Sequence, residues 1–470
     1  MAVKKVIILG AGIAGLSAAW KLSQRGIQVE LIEKESQVGG LSRSIRKDGF
    51  TFDLGGHRFL TDDQYILNEV KLLLGDDLLI RTRKSVIRFR DNYLRYPLSA
   101  KELLCNMNTG FVARCLFDYL LIRFKKRMFP AVEASVEDWL INRFGRSIYE
   151  VFFEIYSTKL WGIPPAQISA DWAPQRIAQL HLWEVLLRAL GKRRNMPKTY
   201  ASSFYYPRCG IGQLAESMGS VVEKNAGKIH LNSFVKRIHL KNNEVKEVVY
   251  QEGGVEKIST GDFFISTIPV NEFIRDIVPL IDEEYLRIAR TMKFRAIRFL
   301  NLMLDIDRVS ENTWIYIPEQ RYIFFRIQEP KNWSPSNAPA GKTSLTLEIT
   351  CNEQDAIWNA SDQELYERCI DNLQKLGLLN GAKVQGYFSV RERHGYPVYS
   401  LDYREKNRKI IQFLLKVRNL LSIGRQGLFR YNNMDHSIKM GFLAARHIAE
   451  GFPKEEVIKI ATEKKVFESE

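Results

Sequence analysis

The stretch VKKVIILGAGIAGLSAAWKLSQRGIQVELIEKESQVGG, residues 3–40, constrains this chain more than any other. Val6 to Leu9 form a short, apolar, β-branched run ending at glycine, which predicts a buried strand. Gly10, Gly12 and Gly15 follow as G-x-G-x-x-G. In that pattern the first glycine permits a tight turn. The second lets backbone approach a pyrophosphate, and the third lets the next helix pack close to the strand. A helix is predicted from Ala14 to about Arg25, with its unpaired amides and dipole aimed at the phosphates. Gly26 ends it, residues 27–32 form a second strand, and Glu33 stands 18 residues after Gly15. A carboxylate there accepts from a ribose 2′-hydroxyl. Glycine spacing alone is weak. Strand, helix, second strand and acid in register predict a dinucleotide site, and an acid at position 33 specifies a ribose without a 2′-phosphate.

The chain of 470 residues is long enough for two or three domains, and its 45% hydrophobic and 26% charged content is ordinary for a globular protein. The net charge of +15 is not ordinary. It suits anionic ligands or anionic lipid, and no nucleic-acid-binding motif accompanies it, so nucleic acid is not expected as a partner. Cysteines 105, 115, 209, 351 and 369 are odd in number and scattered, with no C-x-x-C pair, which fits reduced thiols and a cytoplasmic location. No metal-ligand spacing occurs, so no metal is expected. No run of 18 apolar residues predicts a transmembrane helix.

After the acid, VGGLSR brings a second glycine pair, Gly39 and Gly40, with Ser42 and Arg43 as candidate phosphate donors. This resembles the large class of FAD enzymes that includes the amine oxidases. Arg43 also fits a solvated surface charge. DGFTFDLGGHRFLT, 48–61, reads as a strand, the pair Gly55-Gly56 and then His57. The glycines would let backbone approach a flat ring with His57 at its edge; a structural histidine is the alternative. Residues 62–80 carry helical spacing, and 81–98 read as two short strands. From 99 to about 196 the pattern is helical and basic. Within it, GFVARCLFDYLLIRFKKRMFP, 110–130, carries Arg123, Lys125, Lys126 and Arg127, which could touch anionic lipid or cap a partly buried helix. Ser135 and Asp138 read as a capping pair. Trp161 before a glycine and a Pro-Pro turn, and Arg176 after it, suit base stacking and phosphate binding, or equally a packed ring and a surface charge.

Downstream, 203–218 read as strand, glycine turn and helix, 229–254 as strands joined by a polar turn, and 262–270 as a buried strand. Residues 294–350 hold several strand-like runs that predict a separate sheet. NLLSIGRQGLFRYNNMDHSIKMG then gives strand, glycine turn and helix, with Asp435 or Ser437 at a helix start. The expected fold is α/β: a discontinuous Rossmann-like FAD-binding domain with an inserted helical domain and a mixed or antiparallel sheet domain for substrate. Expected boundaries are 1–85, 201–270 and 401–470 for the FAD-binding parts, 86–98 and 271–400 for the sheet, and 99–200 for the helices.

VGGLSRS, LGGHRF, STKLWGIPP with Arg176, WIYIPE, FFRIQEP, GYPVY and GRQGLFRYNNMDHSIKMG together resemble the UDP-galactopyranose mutase family, closest to its eukaryotic-type branch and bacterial relatives. These blocks span residues 6–442. The resemblance implies an isomerase that interconverts pyranose and furanose forms of a UDP-hexose, in cell-wall polysaccharide biosynthesis, by attack of reduced flavin N5 on the anomeric carbon. FAD would act in its reduced form, with NADPH or NADH as candidate reductants. Arg176 and Arg326 would hold the diphosphate; Tyr96, Tyr316, Tyr396 and Tyr431 would line the sugar–phosphate pocket, and Trp161 would lie at the nucleotide or flavin edge. His57 would lie beside the flavin, Gly424 and Arg425 near flavin or phosphate, and Asp435 and His436 at the ribityl end. The runner-up is a desaturase or oxidase of the amine-oxidase type acting on an apolar molecule, with the basic helix as a peripheral membrane dock. A homo-oligomer is compatible with either.

Overall fold

The structure, a computed structural model, describes residues 3–89, 92–95, 108–128, 132–173, 203–379 and 381–460. Its organising element is a five-stranded, all-parallel sheet ordered Leu420–Ser422, Phe263–Ser266, Lys5–Leu9, Gln28–Ile32, Lys228–His230. Val6, Ile7 and Ile8 are completely buried, as central parallel strands covered on both faces require. Three distant chain segments supply the five strands, so this part of the fold is discontinuous.

The fingerprint helix Ile13–Ser23 starts directly after Gly12 and is buried almost throughout. It is pressed against the C-terminal helix Met434–Glu450. A Cβ on Gly441 would sit 2.6 Å from Ser17 Cβ and 2.7 Å from Ala14 carbonyl oxygen, so only glycine allows the approach.

A second, mixed sheet of seven strands runs Val384–Pro397, Phe294–Leu304, Thr343–Cys351, Arg326–Gln328, Trp314–Tyr316, Ser85–Phe89, Asn92–Arg95. Its neighbours are antiparallel except for the parallel pair 314–316 and 85–89. The central strand 343–351 is buried at every position. Helix Asp362–Lys375 covers it with Leu365, Cys369 and Leu373, and starts at a Ser361–Glu364 capping box. A third sheet contains the hairpin Ser233–Lys241 and Glu244–Glu252. Asn242 and Asn243 turn it with φ of 54° and 56°, conformations asparagine tolerates better than most residues.

The helical part comprises Thr109–Met128, Val136–Phe144, Arg146–Ile148, a π-helical turn Tyr149–Glu154 and Ile155–Trp161. The Ser135–Asp138 capping box forms as the sequence predicts. One local expectation fails. The helix expected over 62–80 spans only Gln64–Leu74, because Gly75 at φ 55° stops it and Leu78–Thr82 pairs with Ser203–Pro207 as a strand. The two strands expected over 81–98 form after it, at Ser85–Phe89 and Asn92–Arg95. Tyr96 and Arg176 lie outside the described residues. Among the described residues no helix is long and apolar enough to cross a membrane.

Candidate active site

The glycine turn is built as its spacing predicts. Gly10 adopts φ 95°, and a Cβ there would meet Thr267 Oγ1 at 2.5 Å. That hydroxyl donates to the carbonyls of Leu9 and Gly10 and fastens the turn to the neighbouring strand. Gly15 lies behind the turn, where a Cβ would stand 2.2 Å from Gly10 carbonyl oxygen. At Gly12 a Cβ would meet only Gly40 Cα, at 4.0 Å, so Gly12 keeps an open cleft clear. The second glycine pair closes onto the first: Gly39 N–H donates to Ala11 carbonyl at 2.8 Å, and Gly39 and Gly40 both take positive φ.

Glu33 lines the same cleft from the end of the second strand. It is buried, and its carboxylate accepts from Ala11 N–H at 2.6 Å and Glu35 N–H at 3.0 Å. Burial raises its pKa, while those two amides oppose the rise. Ser42 and Arg43 also line the cleft. Arg43 is not the solvated charge of the alternative reading. It is buried, donates to Gly40 carbonyl at 2.8 Å and pairs with Glu392 at 3.4 Å and Glu35 at 3.6 Å.

The cleft continues past His57 to Gly424, Arg425, Asn432, Met434 and Ser437, the last two in the first turn of the C-terminal helix. Gly55 and Gly56 do not line it. A Cβ on Gly56 would collide with the Trp314 indole at 2.2 Å, so the pair seats the histidine loop on the second sheet. Asp435 and His436 pair with each other at 2.8 Å, also off the lining.

His57 is the meeting point of two arginines. Burial first, then the charges of Arg425 and Arg326, lower its pKa to about 3, so its imidazole is neutral at physiological pH. Its Nδ1 lies 3.2 Å from Gly55 carbonyl oxygen. A carbonyl only accepts, so Nδ1 carries the proton and Nε2 keeps its lone pair.

Arg326 stands on the strand 326–328 and is engaged bidentately by Glu348, Nε to Oε1 at 2.6 Å and Nη2 to Oε2 at 2.7 Å. Glu348 is fully buried in strand 343–351 and takes a further bond from Gln328 at 2.8 Å. Burial works against the charge on Arg326, yet Glu348 raises its pKa well above normal, so the cation is permanent. One edge of the fork is thus committed to the protein, and the Nη1 side remains for an anion.

The tyrosines converge here too. Tyr396 and Tyr431 stack at 5.1 Å, Trp161 meets both edge-on at 6.0 and 6.3 Å, and Arg425 lies over Tyr431 at 4.8 Å. Tyr316 lies edge-on to Tyr156 at 6.1 Å and 5.9 Å from the Arg326 guanidinium. Burial, with Tyr431 as neighbour, keeps Tyr396 protonated. Burial does the same for Tyr156, where Tyr316, Tyr396 and Tyr431 add to the rise and Arg326 opposes it. Trp161 is buried among these rings, and its indole N–H has no acceptor among the described residues.

Tyr156, Lys159 and Glu348 belong to this site and were not singled out from sequence. Lys159 donates to the carbonyls of Ile317, Glu319 and Phe324 at 2.8–3.0 Å, tying down the loop between Tyr316 and Arg326. Burial lowers its pKa to about 7. One signal was available: Lys159 is the single charged residue of the helix IYSTKLW, and Glu348 the single charged residue of the strand TSLTLEITC.

Residues 13–403 match the family model for flavin-containing amine oxidoreductases. The chain belongs to that family. Membership implies FAD, and the glycine cradle, the buried acid and the helix start at the far end of the cleft fit that group. In sequence, the chain is 24% identical over 439 residues to a 4,4'-diapophytoene desaturase (4,4'-diapolycopene-forming) of Methylomonas sp, covering 80% of this chain and 79% of that protein. A probable UDP-galactopyranose mutase of Klebsiella pneumoniae is 26% identical over 173 residues, 36% of this chain and 44% of that one. In fold, the crystal structure of a reduced UDP-galactopyranose mutase superposes with TM-score 0.84 over 99% of both chains, at 24% identity. The fold expected from the sequence is therefore met, and the resemblance to a mutase holds in fold over 99% of the chain and in sequence over 36% of it.

Proposed function

We propose that this flavoenzyme is a nucleotide-sugar mutase that interconverts pyranose and furanose forms of a UDP-hexose. One observation carries the reading: two arginines, Arg326 and Arg425, flank a neutral histidine at the flavin end of the cleft, beside a cluster of buried and half-buried tyrosines. A nucleotide diphosphate needs fixed positive charge, and a sugar needs hydroxyl partners with apolar backs.

Reduced FAD supplies the nucleophile, with NADPH or NADH as proposed reductant. The chain's own residues bind and orient. Arg326, braced by Glu348, presents its Nη1 side to the diphosphate, and Arg425 adds a second charge; Arg176 is proposed as a third, and Tyr96 as a further pocket hydroxyl. Tyr316, Tyr396 and Tyr431 offer hydroxyls to sugar and phosphate, and Trp161 offers its N–H. His57 stays uncharged and offers Nε2 as an acceptor without adding charge beside the two arginines. Glu33 accepts from the adenosine ribose, and Ser42, Arg43, Gly424 and Ser437 complete the cofactor site, with the Asp435–His436 pair just outside its lining.

A second reading, a desaturase of apolar molecules, has in its favour the Methylomonas likeness over most of the chain. Its weakness is chemical. An apolar substrate offers neither arginine an acceptor, whereas a diphosphate takes the Nη1 edge that Glu348 leaves on Arg326. Binding separates the two. The mutase reading expects dithionite-reduced protein to bind UDP saturably in a fluorescence titration. Binding of long apolar polyenes with no UDP affinity would favour the desaturase.

A further inference from the structure

The helix Thr109–Met128 faces the wrong way for a globular protein. Its buried residues are Cys115 and Tyr119, and its single acid, Asp118, turns inward to accept from the N–H and hydroxyl of Ser147. Outward point Phe117, Leu120, Leu121, Phe124 and Met128, each 41–67% exposed. With 3.6 residues per turn, these five fall within an arc of about 100°. Arg114 and Lys125 border that arc on one side, Arg123 and Arg127 on the other, all exposed. At 1.5 Å per residue the stripe from Phe117 to Met128 runs about 17 Å along the helix. Exposed apolar stripes of this continuity mark interaction surfaces.

The border charges decide the partner. The nearby acids are already engaged: Glu150 lies 3.8 Å from both Arg114 and Arg146, and Glu133 pairs with Arg143 at 2.7 Å and Lys126 at 3.5 Å. A second copy packed on this face by two-fold symmetry would set cationic borders against cationic borders, in a chain of net charge +15. An anionic bilayer matches both features. Apolar side chains enter the headgroup boundary while Lys and Arg stems bend their charges back to lipid phosphates. We propose that the helix Thr109–Met128 docks this enzyme on the surface of an anionic membrane, lying in the interface without crossing it. The proposal stands apart from the identity of the substrate.

The test uses the full-length FAD-loaded protein and co-sedimentation with vesicles of phosphatidylcholine alone or mixed with phosphatidylglycerol. The wild type should bind the anionic vesicles and not the neutral ones. Phe117→Ser/Phe124→Ser should weaken binding at least about tenfold. Lys125→Gln/Arg127→Gln should weaken it at least about tenfold at low salt and less at high salt. All variants should keep wild-type flavin absorbance and thermal unfolding, since these side chains are exposed. Failure of the wild type to bind anionic vesicles, or equal binding by the variants, would overturn the proposal. So would a dimer in light scattering that Phe117→Ser/Phe124→Ser splits while vesicles are ignored; a second copy would then be the occupant.

Discussion

Replacing Arg326 by alanine strands a buried carboxylate. Glu348 is 0% exposed, and two of its three side-chain hydrogen bonds come from Arg326. Without the guanidinium, only the Gln328 amide serves its two oxygens. Removing one partner of a buried pair costs about 3–5 kcal/mol, a large part of a typical stability of about 5–15 kcal/mol. Arg326→Ala should therefore lower stability as well as UDP affinity. The double variant Arg326→Ala/Glu348→Ala removes both charges and should recover much of the loss, a coupling of about 1–3 kcal/mol. It should still lack UDP binding, because the cation is gone. Urea denaturation of the wild type, Arg326→Ala, Glu348→Ala and the double variant at pH 7, with UDP titration on the same preparations, separates bracing from ligand binding. If Arg326→Ala is as stable as the wild type within about 0.5 kcal/mol, or if the two losses simply add, the bracing argument is wrong.

Glu33→Gln keeps the shape but loses the charge and sets an NH2 against the N–H of Ala11 or Glu35, so FAD affinity should fall by about 1.5–3 kcal/mol in a flavin fluorescence titration, and apoprotein stability should fall as well. His57 carries a folded-state pKa near 3 against about 6.5 when unfolded. The unfolded chain then binds the extra proton between these values, so this group's stabilisation is complete above pH 6.5 and drains away as pH falls toward 3. His57→Asn should flatten that part of the stability–pH curve in denaturation series run from pH 7 to 5. Asp53, raised to about 6 by burial, slopes the opposite way between about 4 and 6 and remains in both proteins, so the difference curve isolates the histidine. Lys159→Met should free the loop 317–324 and raise KM for the nucleotide sugar with little change in flavin content, because three carbonyls lose their only shared donor.

What the sequence reveals here is what is local. The fingerprint, the Ser135 capping box and the Asn242–Asn243 turn each depend on residues a few positions apart, and each forms. The misread helix 62–80 fails because the strand Leu78–Thr82 exists only through a partner more than a hundred residues away. The same limit applies to the site. Glu348 reads as one more residue of a buried strand until Arg326 is placed on the adjacent one. Tyr156 follows a π-helical turn that no spacing announces, and its neighbours Tyr316, Tyr396 and Tyr431 come from two other regions of the chain. Exposure of the stripe on helix 109–128 was likewise invisible, because apolar residues on both faces look like an ordinary core helix.

The most direct measurement is anaerobic product analysis. Dithionite-reduced and oxidised protein are incubated in parallel with UDP-galactopyranose and a panel of UDP- and dTDP-hexoses, and the products are separated and their ring form read by NMR. The account predicts a furanose product from at least one UDP-hexose with reduced protein and none with oxidised protein. Reduced, FAD-loaded protein that returns every nucleotide sugar unchanged would contradict it.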